Sequence, residues 1–129
     1  MLRQGPISLL LHGVIEYLAA VVLIVAPFAL NFHSSAAKAV SIVAGVLVLV
    51  VAATTAGRTS LVDSLPLSAH ILLDYALAAV LIAAPFLFGF SKEGAPTAFF
   101  IVLGVAHLLI TIGTRFRPGP VPGPTAEEE

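Results

Sequence analysis

The sequence predicts an all-α membrane domain: a four-transmembrane-helix bundle made of two tandem helical hairpins related by a pseudo-twofold along the membrane normal. Three observations carry this. The 129 residues are 59% hydrophobic and 10% charged, with a mean hydropathy of +1.08, far from soluble averages of roughly 45–50% apolar and about 25% charged. Four apolar segments, near 7–32, 36–56, 67–90 and 96–114, each reach the roughly 20 residues that cross a 30 Å hydrocarbon core at about 1.5 Å per residue. The first pair of segments then recurs as the second.

The repeat is explicit. His12 to Phe32 realigns on His70 to Phe90 at an offset of 58, with ten of 21 positions identical and Glu16 opposite Asp74. At an offset of 59, Ala36, Ala39, Ile42, Val43, Gly45, Val46, Leu49, Thr55 and Arg58 recur as Ala95, Ala98, Ile101, Val102, Gly104, Val105, Leu108, Thr114 and Arg117. This reads as a tandem duplication, repeat 1 over about 7–58 and repeat 2 over about 66–117, within one membrane domain of residues 1–117.

Each element has local support. Gly5-Pro6 and Asp63-Ser64-Leu65-Pro66 predict the starts of helices 1 and 3, with proline near the first helical position, where its missing N–H costs nothing. The first apolar run is too long for a signal-peptide core of about 7–15 residues and is read as a retained helix. Asn31–Ser35 and Ser91–Pro96 predict tight polar turns, and Gly57 a helix C-cap. The 118–129 stretch, PGPVPGPTAEEE, predicts a disordered, extended tail. Arg3, Arg58, Arg115 and Arg117 fall on one side and Lys38 and Lys92 on the other, so both termini are expected in the cytoplasm. Two spans per repeat make the halves parallel rather than inverted.

On helix 1, His12, Glu16, Ala20, Leu23 and Pro27 form a stripe at helical spacing that helix 3 repeats. On helix 2, Ala39, Ile42, Val43, Val46 and Leu49 form another, beside Gly45. The repeated stripes are expected inside and the drifting positions toward lipid. Ala20, Gly45, Ala78 and Gly104 are expected at helix–helix contacts, where small residues let backbones approach. Pro27 and Pro85 are expected to kink helices 1 and 3 and free the carbonyl four residues back.

Charge and composition exclude several classes. A net charge of −1 gives no basic field for nucleic acid, and zero cysteines exclude disulfides, thiolate nucleophiles and cysteine-ligated metals. No phosphate loop, Gly-x-Ser-x-Gly or His-Glu-x-x-His is present. No catalytic residue, cofactor or resident metal is therefore expected.

The polar cluster that remains is His12, Glu16, His70 and Asp74, with Arg58 and Arg117 on the same side. Counting 16 residues back from Phe32 or Phe90 puts the carboxylates about 24 Å below the outer boundary, roughly 6 Å inside the core. A charge there must be paired or neutralised. Two readings stay open. Two histidines and two carboxylates can hold a transition metal or relay protons; or Glu16 and Asp74 are latched to Arg58 and Arg117 in a belt of polar caps with Tyr17 and Tyr75. His107, whose repeat equivalent is Val48, is expected to bond Thr111 one turn on rather than act as a ligand.

Glu16-Tyr17…Ala26-Pro27-Phe28…Phe32 and Asp74-Tyr75…Ala84-Pro85-Phe86…Phe90, each followed by a glycine-bearing helix, resemble the SPW-repeat family of small bacterial integral membrane proteins. The family is named for a Ser-Pro-Trp that this chain replaces with Ala-Pro-Phe in both copies, removing a hydroxyl and an indole N–H. The resemblance covers about residues 8–117 and implies the fold and a bacterial cytoplasmic membrane. The function expected first is a non-enzymatic accessory or structural subunit that packs in the bilayer as a homo-oligomer or within a larger complex. The alternative is a small oligomeric transport or proton-translocating module using Glu16 and Asp74.

Overall fold

The structure, a computed structural model, describes residues 6–55, 61–62 and 64–114. Four helices follow one another: α1 (Leu9–Ala29), α2 (Ser35–Thr54), α3 (Leu67–Leu87) and α4 (Gly94–Gly113). Each is long and apolar enough to cross a membrane. This is a multi-pass membrane bundle of two hairpins, α1–α2 and α3–α4, that pack tightly within themselves and more loosely against each other.

The helix starts differ from expectation. Ser8, not the region of Pro6, caps α1, its side chain accepting from the Leu11 N–H; Pro66 is the N-cap of α3 rather than its first helical residue. A side-chain acceptor satisfies an orphan N–H directly, which a proline cannot do, so Ser8 sets the boundary of α1, whereas α3 starts after Pro66 with no side-chain cap bond. α2 ends at Thr54 with Thr55 as its cap; Gly57 lies outside the described residues, as do Arg3, Arg58, Arg115, Arg117 and the 118–129 tail.

Both odd helices end in the same way. Asn31 (φ 51°) and Gly89 (φ 75°) take the left-handed conformation, and the N–H groups of Phe32 and Phe90 reach back to the Pro27 and Pro85 carbonyls at 3.0 and 2.9 Å. These are Schellman closures, which need a residue tolerant of positive φ just past the helix. They turn Phe32 and Phe90 inward, where Phe32 meets Phe99 at 5.8 Å and Phe90 meets Phe100 at 5.3 Å between ring centroids. The prolines therefore sit in the last turns of their helices. The Leu23 carbonyl, four residues before Pro27, accepts the Ser41 hydroxyl from α2, the kind of rescue that makes proline tolerable in a membrane helix. Phe100 stands where repeat 2 would carry that serine.

The interior matches expectation on α1 and α3 and departs from it on α2 and α4. His12, Glu16, Ala20, Leu23 and Pro27 are buried, as are His70, Asp74, Ala78, Leu81 and Pro85. A Cβ on Gly45 would stand 2.7 Å from Ile24 Cγ1 and 2.8 Å from the Ala20 carbonyl oxygen, and one on Gly104 2.7 Å from Ile82 Cγ1, so both glycines are close-approach points. Val50 and Leu109 are exposed. The rest of the α2 stripe is corrected: Ala39, Val43, Val46 and Leu49 face outward, with Ile42 half-buried. The buried face of α2 is Ala37, Ser41, Gly45, Val48 and Ala52, and that of α4 is Pro96, Phe100, Gly104, His107 and Thr111. Of these five pairs only the glycine is identical. The interior faces of α2 and α4 were free to diverge because each fits a different neighbour.

Candidate functional site

The N-terminal halves of α1 and α3 bring His12, Glu16, His70 and Asp74 into one buried cluster. The i, i+4 spacing places each histidine beside the carboxylate of its own helix, and the packing of the two hairpins brings it within similar reach of the carboxylate of the other. His12 Nε2 lies 2.9 Å from Glu16 Oε1 and 3.0 Å from Asp74 Oδ2; His70 Nε2 lies 2.7 Å from the same Glu16 oxygen and 3.2 Å from the same Asp74 oxygen. The two imidazoles meet edge to face, with centroids 5.9 Å apart.

Two threonines complete the arrangement. His12 Nδ1 is 2.8 Å from Thr114 Oγ1 and His70 Nδ1 is 2.6 Å from Thr55 Oγ1, so each histidine is held by the cap of the other repeat's second helix. Each hydroxyl spends its single proton on a helix carbonyl four residues back, Thr55 on Val51 and Thr114 on Ile110, the usual bond of a threonine in a last helical turn. The hydroxyl oxygens are thus acceptors and both Nδ1 atoms donate, which aims both Nε2 atoms at the carboxylates. The backbone repeats the pairing: the Ile7 N–H donates to the Gly113 carbonyl at 3.0 Å, and the Leu65 N–H to the Thr54 carbonyl at 2.8 Å.

An unprotonated Nε2 presents a lone pair, and a lone pair 2.7–3.2 Å from two carboxylate oxygens is repulsive. The ring must therefore take up protons, on the imidazoles or on the carboxyls, or a bound cation. Two protons or one dication supply the +2 that balances two carboxylates, and balance is what a low-dielectric interior requires.

The surroundings are asymmetric. On the α2 side Val48 borders a cavity of about 260 Å³ between α2 and α3, apolar except where Glu16 and Asp74 reach it. The residue equivalent to Val48 is His107, buried, with Nε2 3.5 Å from Asp74 Oδ1 and no hydrogen-bond partner among the described residues. The expected link to Thr111 is corrected: the Thr111 hydroxyl donates to the His107 backbone carbonyl, leaving the ring free to face Asp74. Sequence reasoning passed over Thr55 and Thr114 as site residues, although their recurrence at the offset was visible. The expected partners Arg58 and Arg117 lie outside the described residues.

At the opposite end, Glu93 joins the hairpins. Its carboxylate accepts the His33 and Ser34 N–H groups at 2.7 and 2.8 Å. The bond from His33, then that from Ser34, with the nearby His33 and Lys38 charges, holds this carboxyl below its ordinary range.

Residues 10–114 match the model of the SPW repeat domain, and the chain belongs to that family. No curated protein and no solved structure matches it.

Proposed function

We propose that this is a small, non-enzymatic cation-transport module of a bacterial cytoplasmic membrane, self-associated, with both termini cytoplasmic, whose binding station is the His12–Glu16–His70–Asp74 ring. The observation that carries the reading is the shared coordination of the four groups. Each Nε2 faces both carboxylates, so the ring is a single receptor for positive charge built from both repeats. Ionisable groups at this depth are costly, and a transport or binding role accounts for the cost. Arg and Lys asymmetry supports the orientation.

The test is flux in proteoliposomes containing either a pH-sensitive or a divalent-metal-sensitive dye. Protein-dependent flux that disappears in the Glu16→Gln/Asp74→Asn double variant supports the module. Wild-type vesicles no leakier than those of the double variant refute it. Reporter fusions at Glu129 active only outside the cytoplasm would reverse the orientation.

The accessory-subunit reading stands second, favoured by one observation. Ala39, Val43, Val46 and Ala98, Val102, Val105 recur between repeats yet face outward, forming two similar apolar stripes suited to packing against other helices. Cross-linking between cysteines placed at Val43 and Val102 in the membrane would detect such packing.

A further inference from the structure

The donor set of the ring carries the cation-receptor reading one step further, to the identity of the cation. Resting on that reading, we propose that the ring binds a divalent first-row transition metal of borderline softness, with zinc as the reference ion. Its ligands are His12 Nε2, His70 Nε2 and one oxygen each from Glu16 and Asp74, and His107 positions Asp74.

Three observations converge. First, one ligand atom from each of the four residues lies within 4.8 Å of the others, and all four residues are buried. Two imidazole nitrogens and two carboxylate oxygens suit zinc and its neighbours. Calcium and magnesium favour all-oxygen shells, and copper(I) favours sulfur; the chain has no cysteine and only Met1. Second, Thr55 and Thr114 take both Nδ1 protons. Metal-binding histidines are oriented in this way, with the distal N–H donated so that the other nitrogen presents its lone pair. Two neutral imidazoles and two carboxylates sum to −2, which a dication cancels and a monovalent ion does not.

Third, His107 Nε2 is more than nine-tenths buried, has no hydrogen-bond partner among the described residues and points at the site, 3.5 Å from Asp74 Oδ1. That is the oxygen turned away from the two histidines. A small movement brings the ring into hydrogen-bond range and fixes Oδ2 toward the metal. A buried imidazole nitrogen beside this outer carboxylate oxygen can hold Asp74 in place while Oδ2 faces the metal. Val48 in the equivalent place supplies no such contact to Glu16, so the support is one-sided.

The experiment uses the full chain in mild detergent, stripped with chelator and titrated with Co²⁺, followed by Zn²⁺ competition and elemental analysis. Expected are one Co²⁺ per chain, visible d–d bands, and displacement by Zn²⁺. Glu16→Gln/Asp74→Asn should weaken binding by about 100-fold or more, and His107→Phe by about 10–100-fold with a shift of the d–d bands. His33→Ala, outside the ring, should change nothing. Absence of saturable Co²⁺ binding by folded wild-type protein overturns the proposal, as does equal binding by the double variant. Should the double variant fail to fold, X-ray absorption of the zinc-loaded wild-type protein decides: two imidazoles with oxygen ligands support the site, and an oxygen-only shell overturns it. Detergent solution has no compartments, so binding is read apart from transport. Stoichiometric metal without vesicle flux keeps the site and removes the transport reading; flux without metal binding removes the metal alone.

Discussion

His70 donates its Nδ1 proton to Thr55 Oγ1 at 2.6 Å, while Thr55 gives its own proton to the Val51 carbonyl. The helix cap of repeat 1 thereby sets the orientation of a histidine from repeat 2, and Thr114 does the same for His12. Thr55→Val removes the acceptor and leaves a buried N–H unpaired, a loss of about 1–3 kcal/mol. Thermal unfolding in detergent should show that loss for Thr55→Val and Thr114→Val, with most of it restored in Thr55→Ser. Valine variants as stable as the wild-type protein would show that the bond does not orient the ring.

The two glycines should respond unequally. At Gly45 an added Cβ meets the Ala20 carbonyl oxygen at 2.8 Å, whereas at Gly104 the nearest backbone atom is the Ile82 nitrogen at 3.1 Å. Backbone cannot yield as a side chain can. Gly45→Ala should therefore destabilise more than Gly104→Ala, and leucine at either position should cost about 1–3 kcal/mol by overpacking. Val50→Leu, on an exposed position, should be close to neutral. Unfolding midpoints of the five variants check the order.

Glu93 gives the fold a pH-dependent clasp outside the membrane-spanning segments. Its carboxyl is held below the ordinary glutamate value, first by the His33 N–H and then by that of Ser34. A depressed folded-state pKa contributes stability that is present above the unfolded value and lost as pH falls through the folded one. The stability difference between wild-type protein and Glu93→Gln should be constant near neutrality and shrink toward zero under acid, below about pH 4. A difference that is flat into acid would remove the clasp.

Much of this was legible because duplication labels positions. The α1 and α3 stripes carry prolines, small residues and carboxylates whose functions both repeats share, so the stripe from His12 to Pro27 is buried in both, although identity alone does not mark burial: Val22 and Val80 are identical and exposed. On α2 and α4 the same rule pointed outward. There the buried residues meet unlike partners, Ser41 serving the carbonyl freed at Pro27 and Phe100 filling an aromatic cluster, and so they diverged. The ring itself was legible as four polar residues at one depth. Its threonine supports and His107 were not, since a cap residue from the other hairpin becomes a neighbour only once the hairpins pack. Glu93 was hidden for the same reason: it is the N-cap of α4, yet makes no cap bond there and spends its carboxylate on the turn of repeat 1.

The two repeats aim both histidine Nε2 atoms at one shared pair of carboxylates, the arrangement on which a single receptor for positive charge depends. Long-range ¹H–¹⁵N spectra of ¹⁵N-histidine-labelled protein in micelles read this directly. Both His12 and His70 should show a protonated Nδ1, and Glu16→Gln should move both Nε2 resonances together, because Glu16 Oε1 lies 2.9 Å from one and 2.7 Å from the other. A bare Nδ1 on either ring, or a Glu16→Gln effect confined to His12, would contradict that arrangement.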